Sequence, residues 1–137
     1  MEYLDIVDEQ GQPTGKIISR TLAHTEGIRH RTVHIWIVRR ENEHLQVLMQ
    51  KRAMNKDSFP GKYDTSSAGH IQAGDEPLAS GLRELAEELG IHAKPEDLAF
   101  AGCIHGNFAE EFHGKIFRDN EIAFVYVYQQ PVDIETL

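Results

Sequence analysis

The chain opens with an alternation of apolar and polar positions in YLDIVD (residues 3–8), which predicts a β-strand. DEQGQPTG is dense in turn formers and KIISR (16–20) alternates again, so the first two strands are expected to form a hairpin. HTEGIRHR (24–31) carries two histidines and a glycine and reads as an irregular segment. TVHIWIVRR (32–40) is rich in β-branched and aromatic residues and predicts a buried strand. After the polar turn ENEHL, QVLMQKR (46–52) is its expected antiparallel partner, and AMNKDSFPGKYD (53–64) reads as a loop around Pro60-Gly61. SSAGHIQAG (66–74) predicts a short strand and turn, and AFAGCIHGNF (99–108) a strand. EEFHGKIFRD (110–119) reads as a polar hairpin tip, and EIAFVYVYQQ (121–130) as the most apolar strand.

One stretch departs from period two. Leu78, Leu82, Leu85 and Leu89 recur at i, i+4, i+7 and i+11, which predicts a helix from about Glu76 to Leu89 with an apolar stripe. Asp75 is the expected N-cap, Pro77 fits the first turn, and Gly90 fits the left-handed residue after the last turn. Gly81 is the misfit, costing about 1 kcal/mol relative to Ala inside a helix, and is expected to mark a close approach to a neighbouring element. Opposite the leucines, Glu84, Glu87 and Glu88 share one face at i, i+3 and i+4. Three carboxylates so close repel one another and call for a cation. Mg²⁺ is the natural candidate, because it takes hard oxygen ligands and is commonly shared with a substrate phosphate.

Composition narrows the function classes. With 137 residues, 26% charged and 40% hydrophobic, the chain is expected to be one globular domain over residues 1–137. A net charge of −8 argues against nucleic acid or an anionic membrane as the main partner. A single cysteine, Cys103, excludes an internal disulfide and fits a reducing cytoplasm. There is no signal-peptide pattern and no apolar run of membrane-spanning length, so a soluble cytoplasmic protein is expected. Strands around one central helix suggest a mixed sheet with helical cover, an α+β arrangement.

Gly69, Asp75, then Arg83-Glu84-Leu85-Ala86-Glu87-Glu88-Leu89-Gly90-Ile91 resembles the Nudix box, G-x5-E-x7-R-E-U-x-E-E-x-G-U, with Asp75 the one departure. A solvated acidic helix would explain the carboxylates, but not the glycines, the arginine and the spacing together. The resemblance implies a Nudix α/β/α sandwich with a mixed central sheet and a hydrolase that cleaves a diphosphate linkage by water attack on phosphorus. In it Glu84, Glu87 and Glu88 hold Mg²⁺ (or Mn²⁺), and Gly69 offers its backbone carbonyl to the metal. Arg83 orients the carboxylates, and Glu87 or Glu88 positions or deprotonates the water. The strand and helix that normally end this fold are not evident after Gln130. A sheet face without them favours pairing with a second copy of the chain.

Outside the box, QPTGKIISRTLAHT, HRTVHIWIV, KRAMNKDSFPGKYDTSSAGH and RDNEIAFVY resemble type I isopentenyl-diphosphate isomerase, itself a Nudix-fold enzyme. That resemblance implies a second divalent metal, Zn²⁺ or Mn²⁺, at His24, His30, His70, Asp119 and Glu121, and diphosphate contacts from Arg20, Arg52 and Lys56. Ala68 stands where the isomerase has its catalytic cysteine, and an alanine transfers no proton. The box carboxylates are all present. The reading is therefore a Nudix hydrolase of the isomerase-like branch, with a small-molecule diphosphate substrate. Isomerase chemistry on isoprenoid diphosphates and a non-catalytic Nudix-fold binding module stand as the alternatives.

Overall fold

The computed structural model describes residues 2–51, 63–112 and 114–137. The expected loop at 53–64 lies almost wholly outside them. The first hairpin is present as β1 (Tyr3–Val7) and β2 (Pro13–Ser19), paired antiparallel. The long strand β3 (His30–Glu41) is the axis of the main sheet. On one side β3 runs parallel to β9 (Lys115–Tyr128), which pairs antiparallel with β8 (Leu98–Phe112). Its other edge is shared by two short strands, β4 (His44–Val47) near its end and β7 (Ser67–His70) near its start. A two-residue pair, β5 (Gln50–Lys51) with β6 (Tyr63–Asp64), bridges the gap before β7. The sheet is mixed and has helices on both faces, as the sequence implied.

Helix α2 (Pro77–Leu89) lies across the face of the sheet formed by Val33, Ile35, Ile37, Tyr126 and Tyr128. Its leucine stripe does what the periodicity demands: Leu85 is fully buried, and Leu78, Leu82 and Leu89 pack around it. Burying one such side chain contributes about 1.5–3 kcal/mol. Gly81 is the close approach, because a Cβ there would meet Val33 at 3.3 Å and Ile35 at 3.4 Å. Gly90 takes the left-handed conformation (φ 69°) and donates its N–H to the last turn. Among the described residues no helix is long and apolar enough to cross a membrane.

Two local expectations are corrected. The histidine-rich segment is not wholly irregular: its first three residues end α1 (Arg20–Glu26), capped by the Ser19 hydroxyl and ended by Gly27, and its last two begin β3. With only seven residues and an exposed Leu22, α1 has too short an apolar stripe to be read from the sequence. The N-cap of α2 is Glu76, not Asp75, whose carboxylate is instead engaged with Arg83. The polar hairpin tip expected at 110–119 is present, with β8 and β9 paired out to Phe112 and Lys115. That end of the hairpin is exposed on both faces, so no apolar alternation marks it.

Candidate active site and metal centre

The short strand β7 carries two sites, one on each face. Successive side chains of a strand point to opposite sides, so Ser67 and Gly69 look toward α2 while Ala68 and His70 look away from it.

On the α2 side, Glu88 accepts hydrogen bonds from the Ser67 hydroxyl (2.9 Å) and the Ala68 backbone N–H (3.2 Å). Glu84 lies against Gly69 so closely that any Cβ there would collide with its carboxylate. Partial burial, together with the charge of Glu88 and a hydrogen bond to it, pushes the Glu84 carboxyl up to about 7. Glu87 is exposed on the flank of the pair and adds to the same shift. Arg83 donates to Asp75 at 2.9 Å and stands 4.0 Å from Glu84, and the Asp75 hydrogen bond raises the guanidinium's own value. Behind this turn, buried Asp5 accepts from Arg31 (2.9 Å) and from the Gly74 N–H (2.9 Å), while Arg31 also donates to the Asp75 carbonyl (3.0 Å). The loop that starts α2 is thereby tied to β1 and β3.

On the opposite face, α1 brings His24, the start of β3 brings His30, β7 brings His70, and β9 brings Asp119 and Glu121. His24, His30 and His70 offer ligand atoms within 4.8 Å of one another, as do His30, Asp119 and Glu121. The His24 and His70 Nε2 atoms are 3.4 Å apart, and the Asp119 carboxylate lies 3.5 Å from His30 Nε2 and 3.6 Å from His24 Nε2. His24 also packs on Phe117, with ring centres 4.3 Å apart.

The protonation pattern follows from the partners. His30 Nδ1 sits 2.9 Å from the Ile28 carbonyl, which can only accept, so Nδ1 carries the hydrogen. Burial lowers the His30 value, so the ring is neutral and Nε2 presents a lone pair. Among the described residues that atom is buried without a hydrogen-bond partner, and so is the Asp119 oxygen facing it. Burial lowers His70 to about 3, with Arg20 adding to the effect. For Asp119, burial acts upward, but interactions with His24, Glu121 and His30 prevail and hold its carboxyl below the ordinary value. Two buried acceptors facing each other are costly unless something cationic lies between them. The donor set therefore fits a divalent metal ion.

The structure thus brings Glu84 and Glu88 together with Gly69, and His24, His30, His70, Asp119 and Glu121 together on the reverse face. Arg20 is largely exposed, bonded to Glu2 at 3.2 Å, yet near enough to bias His70. Arg52 and Lys56 lie outside the described residues. Sequence reasoning missed Ser67, which orients Glu88, and His34, which stands 3.6 Å from Glu121. The alternation of TVHIWIV held the signal for His34, since it shares a strand face with His30.

The NUDIX domain model matches residues 28–136. An uncharacterized Nudix hydrolase of Clostridium acetobutylicum is 43% identical over 98% of this chain and 63% of its own length. An isopentenyl-diphosphate Delta-isomerase of Streptomyces avermitilis is 30% identical over 94% of this chain and 63% of its own length. The chain therefore spans less than two thirds of the length of these relatives. A Deinococcus radiodurans protein of known crystal structure matches with a TM-score of 0.66 and 21% identity, over 96% of this chain and 74% of that one. That likeness is one of fold.

Proposed function

The chain belongs to the NUDIX family, and on that premise we propose that it is a metal-dependent hydrolase cleaving a diphosphate linkage in a small molecule. The observation that carries this reading is the paired carboxylate of Glu84 and Glu88 against Gly69, with burial and the charge of Glu88 pushing Glu84 up to about 7. Glu84, Glu88 and the Gly69 carbonyl would hold Mg²⁺ (Mn²⁺ as a substitute), with Glu87 available beside them. When bound, the metal supplies polarisation of the phosphoryl oxygens and neutralisation of developing charge.

The chain's own groups do the rest. Ser67 and the Ala68 N–H fix the rotation of the Glu88 carboxylate. Arg83, anchored on Asp75, keeps a positive charge beside Glu84 without bonding it tightly, so Glu84 stays free to bind metal. Glu87, exposed and bonded to nothing described, is placed to accept a proton from an attacking water. Arg20 lends positive charge beside His70 on the reverse face, a local offset to the chain's net charge of −8. The cluster of His24, His30, His70, Asp119 and Glu121 would hold a second ion, Zn²⁺ or Mn²⁺ by the softness of its imidazoles. Isomerase chemistry is disfavoured by Ala68, which has no group to transfer a proton.

The test is a panel of nucleoside, sugar, cofactor and isoprenoid diphosphates with Mg²⁺, run beside Glu84→Gln and Glu87→Gln. Hydrolysis of at least one substrate by the native protein, reduced a hundredfold or more in both variants, is expected. Equal product with native and variant proteins would refute the assignment. Isomerised product without phosphate release would move the chain to the isomerase reading.

A further inference from the structure

On the face of the sheet that carries the histidines, β3 presents His30 and His34 four residues apart, and the parallel strand β9 sets Glu121 beside them. His34 pairs directly across from Ala68 on β7, where facing Cβ atoms lie about 4.5–5.5 Å apart. A methyl group fills little of that space, so the imidazole meets no bulk from Ala68 and lies with Nε2 3.6 Å from the Glu121 carboxylate. The two side chains are mostly covered, 26% exposed for His34 and 17% for Glu121. Glu121 thus stands between two imidazoles: on one side the His30 and Asp119 pair of the buried cluster, on the other His34. Glu121 sits at the edge of that cluster and, unlike His30, has no backbone partner to orient it among the described contacts. His34 is not itself within the five-residue ligand group.

We propose that His34 is a positioning residue: it directs its Nε2 hydrogen at the Glu121 carboxylate and sets the rotamer in which Glu121 closes the histidine centre as a ligand. The inference rests on the reading that this centre holds a metal. Outer partners of this kind hold a ligand's orientation, and their loss commonly weakens metal binding about 10–100-fold. Ala68 belongs to the same arrangement, because a larger residue opposite His34 would displace the ring from Glu121.

The test is Zn²⁺ affinity of the full chain, measured by competition with a chromophoric chelator, for the native protein, His34→Ala, His34→Gln and His30→Ala. The glutamine amide can place an N–H near the position of the imidazole Nε2. Expected is a 10–100-fold loss in His34→Ala, mostly restored in His34→Gln, with the metal-free melting temperature of both close to native. Native affinity in His34→Ala would overturn the proposal while leaving the centre intact. A loss that His34→Gln does not restore would assign the effect to packing and also overturn it. If the native protein binds Zn²⁺ no better than His30→Ala, the metal centre itself fails, and the role of His34 with it.

Discussion

Replacing Asp119 by Asn should leave the metal-free protein near native stability and make the metal-bound protein less stable. Asp119 is buried, and one of its oxygens faces the unprotonated Nε2 of His30 at 3.5 Å with no hydrogen between them. An unpaired buried polar group costs about 1–3 kcal/mol. Asparagine keeps the shape and supplies an N–H that His30 can accept. The native carboxylate is itself favoured by His24, Glu121 and His30, and losing those interactions offsets the gain, so the two proteins should agree within about 1 kcal/mol. For a chain of this size that corresponds to melting temperatures within roughly 3–5 °C of each other in the presence of chelator. Zinc separates them. At a free concentration a hundred times its dissociation constant, the ion stabilises the native protein by about 2.7 kcal/mol, and Asp119→Asn, lacking a charged ligand, should gain little. Differential scanning fluorimetry of both proteins, with chelator and with Zn²⁺, gives all four values. If Asp119→Asn melts more than about 5 °C below the native protein in chelator, or keeps the zinc shift, the picture of two acceptors awaiting a cation is wrong.

Other outcomes follow from the same contacts. Gly69→Ala should reduce hydrolysis of any panel substrate by about a hundredfold at saturating Mg²⁺, because the new methyl displaces the Glu84 carboxylate, and turnover measurements check this. Gly81→Leu should lower stability by about 1–3 kcal/mol in urea unfolding, because Val33 and Ile35 stand only 3.3 Å and 3.4 Å from a Cβ at that site. Gly81→Ala should be near neutral, its helix-propensity gain of about 1 kcal/mol offset by the same contacts. The Glu84 carboxyl is raised from an ordinary 4.5 to about 7, so the fold disfavours its charged form. Its stabilising contribution is complete below 4.5 and is lost as pH climbs through 7. In chelator, the melting temperature of Glu84→Gln should therefore gain on that of the native protein between pH 5 and pH 8, and added Mg²⁺ should narrow the gap.

Much of the site was legible because its signals are local. The glutamates at 84, 87 and 88 and the glycines at 69, 81 and 90 fall within one strand-turn-helix unit, where spacing alone determines geometry. The leucine stripe buries as its period requires, and Gly81 marks the close approach expected of it. The histidine cluster is different. His24, His30, His70 and Asp119 come from four elements, brought together by the pairing of β3 with both β7 and β9 and by the packing of α1 against β9. Their spacing carries no information about that pairing, so resemblance to a known enzyme had to stand in for it. Helix α1 escaped for a related reason: it is held by the Ser19 cap and by contact with β9 rather than by an apolar stripe. Asp75 was misread as a cap because a short carboxylate there can serve either the helix N-terminus or Arg83, and the second partner lies eight residues on.

The division of labour along β7 bears on how such a protein can change. Ser67 and Gly69 serve the glutamates, whereas Ala68 and His70 face the imidazoles, so neighbouring codons belong to different centres. A substitution at one parity can retune one chemistry and leave the other untouched, as a cysteine or an alanine at position 68 would. An insertion or deletion of a single residue would exchange the two faces and ruin both centres together. This four-residue strand should therefore exchange one small side chain for another at position 68 while its length stays fixed.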